Sequence, residues 1–216
     1  MLSGNYPPAP VGAVLLVAVK PQDFMSTIEE WRNVADHLPL IVSFAAGIKT
    51  SAIEKILGDK VRVIRVMPNT PMTLGRGISA MSLGAPASKD DQEWVSRFLM
   101  TTGEAIVVPE ELQDAVTATS GSGPAYFFAF TESVVAAAMK LGLSEPDAII
   151  LAKETLIGAA LMVEKSGKDL KTLRENVTSP NGTTAAALKK FTELGLEKVI
   201  FESMKAARDR SIELSS

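Results

Sequence analysis

The chain has 216 residues, room for one large or two small domains, and 46% of them are apolar, enough for a real core. Lys and Arg number 22 against 25 Asp and Glu, and the net charge of −3 with no basic run excludes an electrostatic footprint for nucleic acid. With no cysteine and one histidine, His37, the chain has no disulfide framework, thiolate nucleophile or multi-His metal site, so its chemistry rests on hydroxyls, amides, Lys, carboxylates and a borrowed cofactor.

Residues Met1 to Pro10 hold three prolines and no positive charge, unlike the start of a signal peptide. The apolar run Val11 to Val19, closed by Lys20-Pro21, is far shorter than the roughly 20 residues of a membrane span. It reads as a fully buried strand of parallel type. A protein of the cytoplasm, with no membrane partner, is expected. Phe24, Ile28, Trp31 and Ala35 recur at helical spacing between Asp23 and His37. Leu40 to Phe44 is a second strand. Thr50 to Leu57 is a short helix with Ser51 and Glu54 at capping-box spacing. Strands follow at Val61 to Met67 and Gly77 to Leu83, then a helix over Ser88 to Thr101 and a last strand at Ala105 to Val108. Such alternation predicts an α/β layer with a largely parallel sheet.

The character changes near Pro109. From Glu111 onward the pattern is all-α: helices over Pro124 to Leu141, Ser144 to about Lys165, Asp169 to Val177, Thr184 to Leu194 and Leu196 to about Leu214. Ser144 is the expected cap of the second, with Pro146 in its first turn. The helix from Pro124 is apolar on nearly every face, with charges only at Glu132 and Lys140. A helix of that kind needs cover all round. A partner subunit supplies it, or the helix is the central core of a monomer; dimerisation through this half is the expectation.

Three loops follow strands directly: Ala18-Val19-Lys20-Pro21, Phe44-Ala45-Ala46-Gly47 and Met67-Pro68-Asn69-Thr70-Pro71. Ligands of open α/β sheets bind outside the carboxyl ends of strands, so these loops form either one rim of a site or ordinary strand-to-helix punctuation. Ser120-Gly121-Ser122-Gly123-Pro124-Ala125-Tyr126 has no strand before it and Tyr126 where a third glycine is needed, so a tight turn with close helix packing is more economical than a dinucleotide fingerprint. The stretch Asn176-Val177-Thr178-Ser179-Pro180-Asn181-Gly182 delivers Thr183 and Thr184 to a helix start. There the free N–H groups make an anion site, unless the threonines are plain caps.

These five segments, in this order, closely resemble pyrroline-5-carboxylate reductases. The resemblance runs from about Val14 to the C-terminus. It implies a Rossmann-type dinucleotide domain over residues 1–109 and a helical dimerisation and substrate domain over 110–216. It further implies reduction of the cyclic imine 1-pyrroline-5-carboxylate to L-proline in proline biosynthesis, with NADPH or NADH as cofactor and a homodimer or higher homo-oligomer as the working form. The implied cofactor contacts are Ala18, Val19, Lys20, Pro21, Phe44, Ala45, Ala46 and Asn69. The implied substrate contacts are Asn176, Ser179, Gly182, Thr183 and Thr184, with Thr184 bonding the ring nitrogen as the catalytic residue. Where the family commonly has Gly this chain has Asn181, which also tolerates left-handed backbone. The family's opening strand, Gly-rich turn, helix and second strand have no counterpart ahead of Val14. The expectation is therefore a truncated Rossmann-type domain with weakened hold on the pyrophosphate, or, alternatively, a non-catalytic dimeric relative that has lost its cofactor site.

Overall fold

The computed structural model describes residues 12–19, 21–30 and 40–214. Lys20, Trp31, Ala35 and His37 lie outside the described residues. The chain falls into two compact units divided after Pro124, with Met204 onward returning to the first.

The first unit holds a five-stranded sheet in the order β1 (Val14–Val17), β2 (Leu40–Ser43), β3 (Val63–Met67), β4 (Gly77–Leu83), β5 (Gly103–Val107). β1, β2 and β3 run parallel, with Leu16 beside Val42 and Val42 beside Ile64. β3 and β4 are antiparallel, joined through a 3-10 turn at Thr70–Leu74, and β4 and β5 are again parallel. Right-handed crossovers between successive parallel strands put their helices on one face. Accordingly α1 (Pro21–Glu30) and α2 (Thr50–Leu57) share a face, where Phe24, Ile28, Ile53 and Leu57 pack on Val17, Ile41 and Val63. Reversal at β4 sends the next crossover to the opposite side. There Val95 and Leu99 of α3 (Lys89–Leu99) pack on Val42, Ile64, Val66 and Met81. The largely parallel α/β layer expected from the sequence is present, with one antiparallel pair.

Two local expectations change. β1 is not fully buried: among the described residues β2 alone pairs with it, and Leu16 is exposed at the sheet edge. Ser51 and Glu54 form no capping box. The cap position of α2 is Lys49, which supplies no side chain, and Glu54 instead accepts from the Ala85 N–H at 3.1 Å. The true capping box is at α3, where the Ser88 hydroxyl accepts from Asp91 N–H and the Asp91 carboxylate accepts from Ser88 N–H at 2.9 Å. Asp91 also meets Arg62 Nη1 at 2.7 Å.

After β5 the chain forms a short turn (Glu110–Leu112), α4 (Gln113–Val116) and a π-turn (Thr117–Gly121). No strand follows among the described residues. The remaining helices are α5 (Gly123–Lys140), α6 (Glu145–Ser166), α7 (Leu170–Asn176), α8 (Thr183–Glu193) and α9 (Leu196–Glu213). Ser144 caps α6 as expected, accepting from Asp147 N–H at 3.3 Å, and Gly167 ends it at φ +66°. The last turns of α9 rejoin the first unit, where Ser211 Oγ donates to Asp114 Oδ1 at 2.7 Å.

In the second unit, α5 keeps the apolar exposure that its sequence foretells: Phe127 and Phe128 are 63% and 62% exposed. Two apolar grooves separate α5 from α6. One of about 570 Å³ is lined by Phe128, Val135, Met139 and Ile149, and one of about 290 Å³ by Phe130, Val134, Leu151 and Ala152. Among the described residues no helix is long and apolar enough to cross a membrane.

Burial works to raise the Asp91 pKa, but bonds from Ser88 and the Arg62 charge outweigh it and hold the carboxyl below its ordinary range. Asp91→Ala removes the carboxylate half of the capping box and leaves Arg62 without its ion-pair partner, so a loss of roughly 1–3 kcal/mol in unfolding free energy is expected in denaturant titration. A depressed folded-state pKa stabilises above the unfolded value. The gap between parent and variant is therefore full above pH 3.8 and closes as pH falls through the lowered folded-state value. A gap independent of pH assigns the loss to packing alone.

Candidate functional site

Because β1, β2 and β3 are parallel, their carboxyl ends share one edge of the sheet. That edge carries Ala18-Val19, Phe44 to Gly47 and Pro68-Asn69. The Phe44 N–H donates to Val17 O at 2.9 Å, tying the second loop to the first. Ala45 is buried, its N–H donating to Ser43 Oγ at 3.4 Å, and Gly47 turns the chain at φ +79° into α2. Pro21 is the first residue of α1. Asn69 Oδ1 accepts from Ile78 N–H at 2.9 Å, which binds the 3-10 turn to β4 and leaves the Asn69 NH2 as its donor.

The donor set fits the nicotinamide end of a dinucleotide. Ala18 and Ala46 offer only methyls and Gly47 no side chain, so a flat ring can approach the backbone, and Asn69 supplies an amide for a carboxamide, whereas the buried Ala45 gives its methyl to the core. Gly121 shows the same economy of space. A Cβ there would stand 2.5 Å from Met67 Cε, so the π-turn packs against the last residue of β3. The close packing expected of Ser120 to Tyr126 is thus present at Gly121, whereas a Cβ on Gly123 would meet nothing within 4 Å.

The charged groups behind this rim were not picked out from the sequence. Arg65 on β3 is 3% exposed. Its Nη1 stands 3.7 Å from Glu110 Oε1, and its Nη2 has no hydrogen-bond partner among the described residues. Glu110 accepts from Thr50 N–H at 2.8 Å and from Thr50 Oγ1 at 2.9 Å. Gln113, fully buried, donates to Ser82 Oγ at 2.8 Å and to Ala80 O at 3.3 Å. Ser82 is the register partner of Arg65. Desolvation raises the Glu54 pKa, the bond from Ala85 opposes it, and the charge of Glu110 adds to the rise. The signal for this network was Arg65 itself, a cation inside the apolar run Val61 to Met67, which needs a carboxylate when buried.

The second unit carries the other predicted segment. α7 is capped by Asp169, whose Oδ1 accepts from Thr172 N–H at 3.0 Å, and it ends at Asn176. Thr178 Oγ1 donates back to Arg174 O at 2.6 Å. The turn from Ser179 closes with Gly182 N–H donating to Ser179 O at 3.0 Å, and Asn181 adopts φ +60°. The threonines do not cap α8. Its cap position is Gly182, with no side-chain bond, and Thr183 and Thr184 are the first two helical residues. Thr184 is half-buried and Thr183 exposed. First-turn N–H groups with no side-chain acceptor, at the positive end of an 11-residue helix, make a receptor for a carboxylate.

Residues 110–214 match the model for pyrroline-5-carboxylate reductase dimerisation. A pyrroline-5-carboxylate reductase of Corynebacterium melassecola is 38% identical over 216 residues, covering 99% of this chain and 80% of that protein. The chain belongs to the pyrroline-5-carboxylate reductase family. The solved pyrroline-5-carboxylate reductase of Coxiella burnetii superposes with a TM-score of 0.88 at 35% identity, over 94% of this chain and 76% of that one. The Plasmodium falciparum pyrroline carboxylate reductase, solved with NADP bound, superposes at 0.84 and 28% identity, over 94% of this chain and 77% of that one. The family's Rossmann-like sheet and helical part are thus both present. The family's dimerisation match begins at Glu110, the residue that bonds Thr50.

In the loop before α8, a Cβ on Gly182 would lie 2.3 Å from Ser179 Oγ. Gly182→Ala is therefore expected to cost about 1–3 kcal/mol in unfolding free energy. Adding Ser179→Ala removes the clashing oxygen, and most of the loss should return in the double variant. Strict additivity of the two changes in denaturant titration contradicts the close approach.

Proposed function

We propose that this protein reduces 1-pyrroline-5-carboxylate to L-proline with NADPH or NADH. Residues 1–109 serve the dinucleotide, and residues 110–216 serve the imine and assembly. The observation that carries the reading is the uncapped start of α8, presented by Asn176 to Thr184 in a chain of this family. The substrate carboxylate takes the free N–H groups at Thr183 and Thr184, with Asn176, Ser179 and Gly182 shaping the loop. Thr184 Oγ1 orients the ring nitrogen. A protonated imine is already electrophilic, so the scarcity of His and Cys is no obstacle. When bound, the reduced nicotinamide supplies the hydride for the C=N carbon. Ala18, Val19, Lys20, Pro21, Phe44, Ala45, Ala46 and Asn69 hold that end of the cofactor, the small side chains by contact and Asn69 by its amide.

The working form is a homodimer or higher homo-oligomer. Exposed Phe127 and Phe128 and the grooves between α5 and α6 support a second copy as the cover, as does the family match to dimerisation over 110–214. Formation of proline from the imine with either dinucleotide tests the activity, and its absence with both overturns the reading.

Thr184→Ala loses one orienting bond, and a fall in kcat/KM of roughly 5- to 150-fold, equivalent to about 1–3 kcal/mol, is expected with the fold intact. An unchanged kcat/KM removes Thr184 from the catalytic role. For assembly, Val135→Glu places a carboxylate in the larger groove. Light scattering after sizing should show the parent as a dimer or larger and the variant as monomer or aggregate. A variant assembled like its parent relocates the interface.

A further inference from the structure

We propose that Glu110 is a positioning residue for the dinucleotide, acting through the start of α2. The inference rests on the reading that Phe44 to Ala46 meet the nicotinamide. α2 lacks a local cap: Lys49 occupies that position without a side-chain bond. The missing acceptor comes from 60 residues away, as Glu110 takes both the N–H and the hydroxyl of Thr50, at 2.8 and 2.9 Å. Both bonds are charge-assisted, and Thr50 is only 4% exposed, so water competes poorly for them. The carboxylate also faces the positive end of α2, where a negative charge is stabilised.

Glu110 is held in turn. Arg65, buried beneath it, stands at 3.7 Å. Gln113, one turn further on, is locked onto Ser82 and Ala80 of β4. Glu54 is the other carboxylate whose charge reaches this one. The segment 110–113 is therefore clamped to the sheet at two points, and from the first of them it holds Thr50. Between Ser43, the end of β2, and Thr50 lie six residues. They are pinned at one end by Phe44 N–H on Val17 O and at the other by Glu110. Release of the second pin leaves that end of the loop held by packing alone, Ile48 and Ile53 against the core, without a hydrogen bond that fixes the start of α2. The first residue of the family's dimerisation segment thereby sets the loop that receives the cofactor.

The test compares Glu110→Ala, Glu110→Gln and Thr50→Val in the whole protein. Calorimetry with NADPH gives the dinucleotide Kd, steady-state kinetics the imine KM, and amide hydrogen exchange of the ligand-free protein the order of residues 44–50. Glu110→Ala should weaken NADPH about tenfold, as expected where the binding-competent loop falls to roughly a tenth of the population. The imine KM should stay within about twofold, and exchange over residues 44–50 should accelerate while β4 is unchanged. Glu110→Gln keeps a carbonyl for the Thr50 N–H and should recover to within about threefold of the parent Kd. A Kd within twofold of the parent for Glu110→Ala, or equal weakening of NADPH and imine, overturns the proposal. Should Glu110→Ala fail to fold, Thr50→Val decides: about threefold weaker NADPH supports the role, and an unchanged Kd ends it. A parent that binds NADPH but forms no proline overturns the reductase reading alone; one that binds no dinucleotide overturns both.

Discussion

The parallel pairing of β1, β2 and β3 is the constraint from which the rest of the first unit follows. Parallel neighbours cannot be joined by a tight turn, so each pair needs a crossover, and right-handed crossovers put α1 and α2 on the same face. The same pairing brings three carboxyl ends to one edge, which is why small residues after β1 and β2 come together with Asn69. The antiparallel step to β4 then has two effects. It ends that edge at the Thr70–Leu74 turn, and it sends α3 to the other face, so that Val42, Ile64 and Met81 are covered. A sheet with all five strands parallel would leave one face bare of helices.

The second unit obeys a different constraint. Helices with apolar residues on every side cannot satisfy them from one neighbour, and α5 and α6 are separated by apolar grooves rather than packed shut. Closing those grooves inside one chain would bury part of α5 and still leave Phe127 in water. A second copy can cover both the grooves and Phe127. The composition of α5, with charges only at Glu132 and Lys140 over 18 residues, is what a helix inside an assembly needs.

Much of this was legible. Strand and helix order followed from period and punctuation, because apolar runs closed by Gly, Pro or Lys and helical spacing of Phe24 and Ile28 are local signals. The Asn181 and Gly182 turn was legible for the same reason, since few residues accept its geometry. What was hidden is non-local. Ser51 and Glu54 have capping-box spacing, yet Glu110 outcompetes them for the start of α2, and Glu54 turns to Ala85. No spacing rule links residue 50 to residue 110. The exposure of Leu16 was hidden in the run itself, because an apolar run reads alike at the edge and the centre. Threonine at a helix start was ambiguous in the same way, until Gly182 proved to hold the cap position.

Among α2, α3, α6, α7 and α8 the helix starts separate into two kinds. α3, α6 and α7 are each capped by the residue just before them, Ser88, Ser144 and Asp169, and none of these lies at a proposed ligand contact. α2 and α8 follow the two loops assigned to the cofactor and the imine, and neither takes a side-chain cap from its own approach. At α2 the first N–H is given to a distant carboxylate, which fixes the loop before it. At α8 the first N–H groups take no side-chain acceptor, and a substrate carboxylate is the group whose charge and size suit them. A serine or aspartate at position 182 would cap α8 well and stabilise the helix. It would also occupy the donors that the proposed substrate carboxylate uses and drive its Cβ into Ser179. The clash with Ser179 outweighs the gain of roughly a few tenths of a kcal/mol that a side-chain cap adds over glycine, and the glycine that fits also leaves the first N–H groups of α8 without a side-chain acceptor.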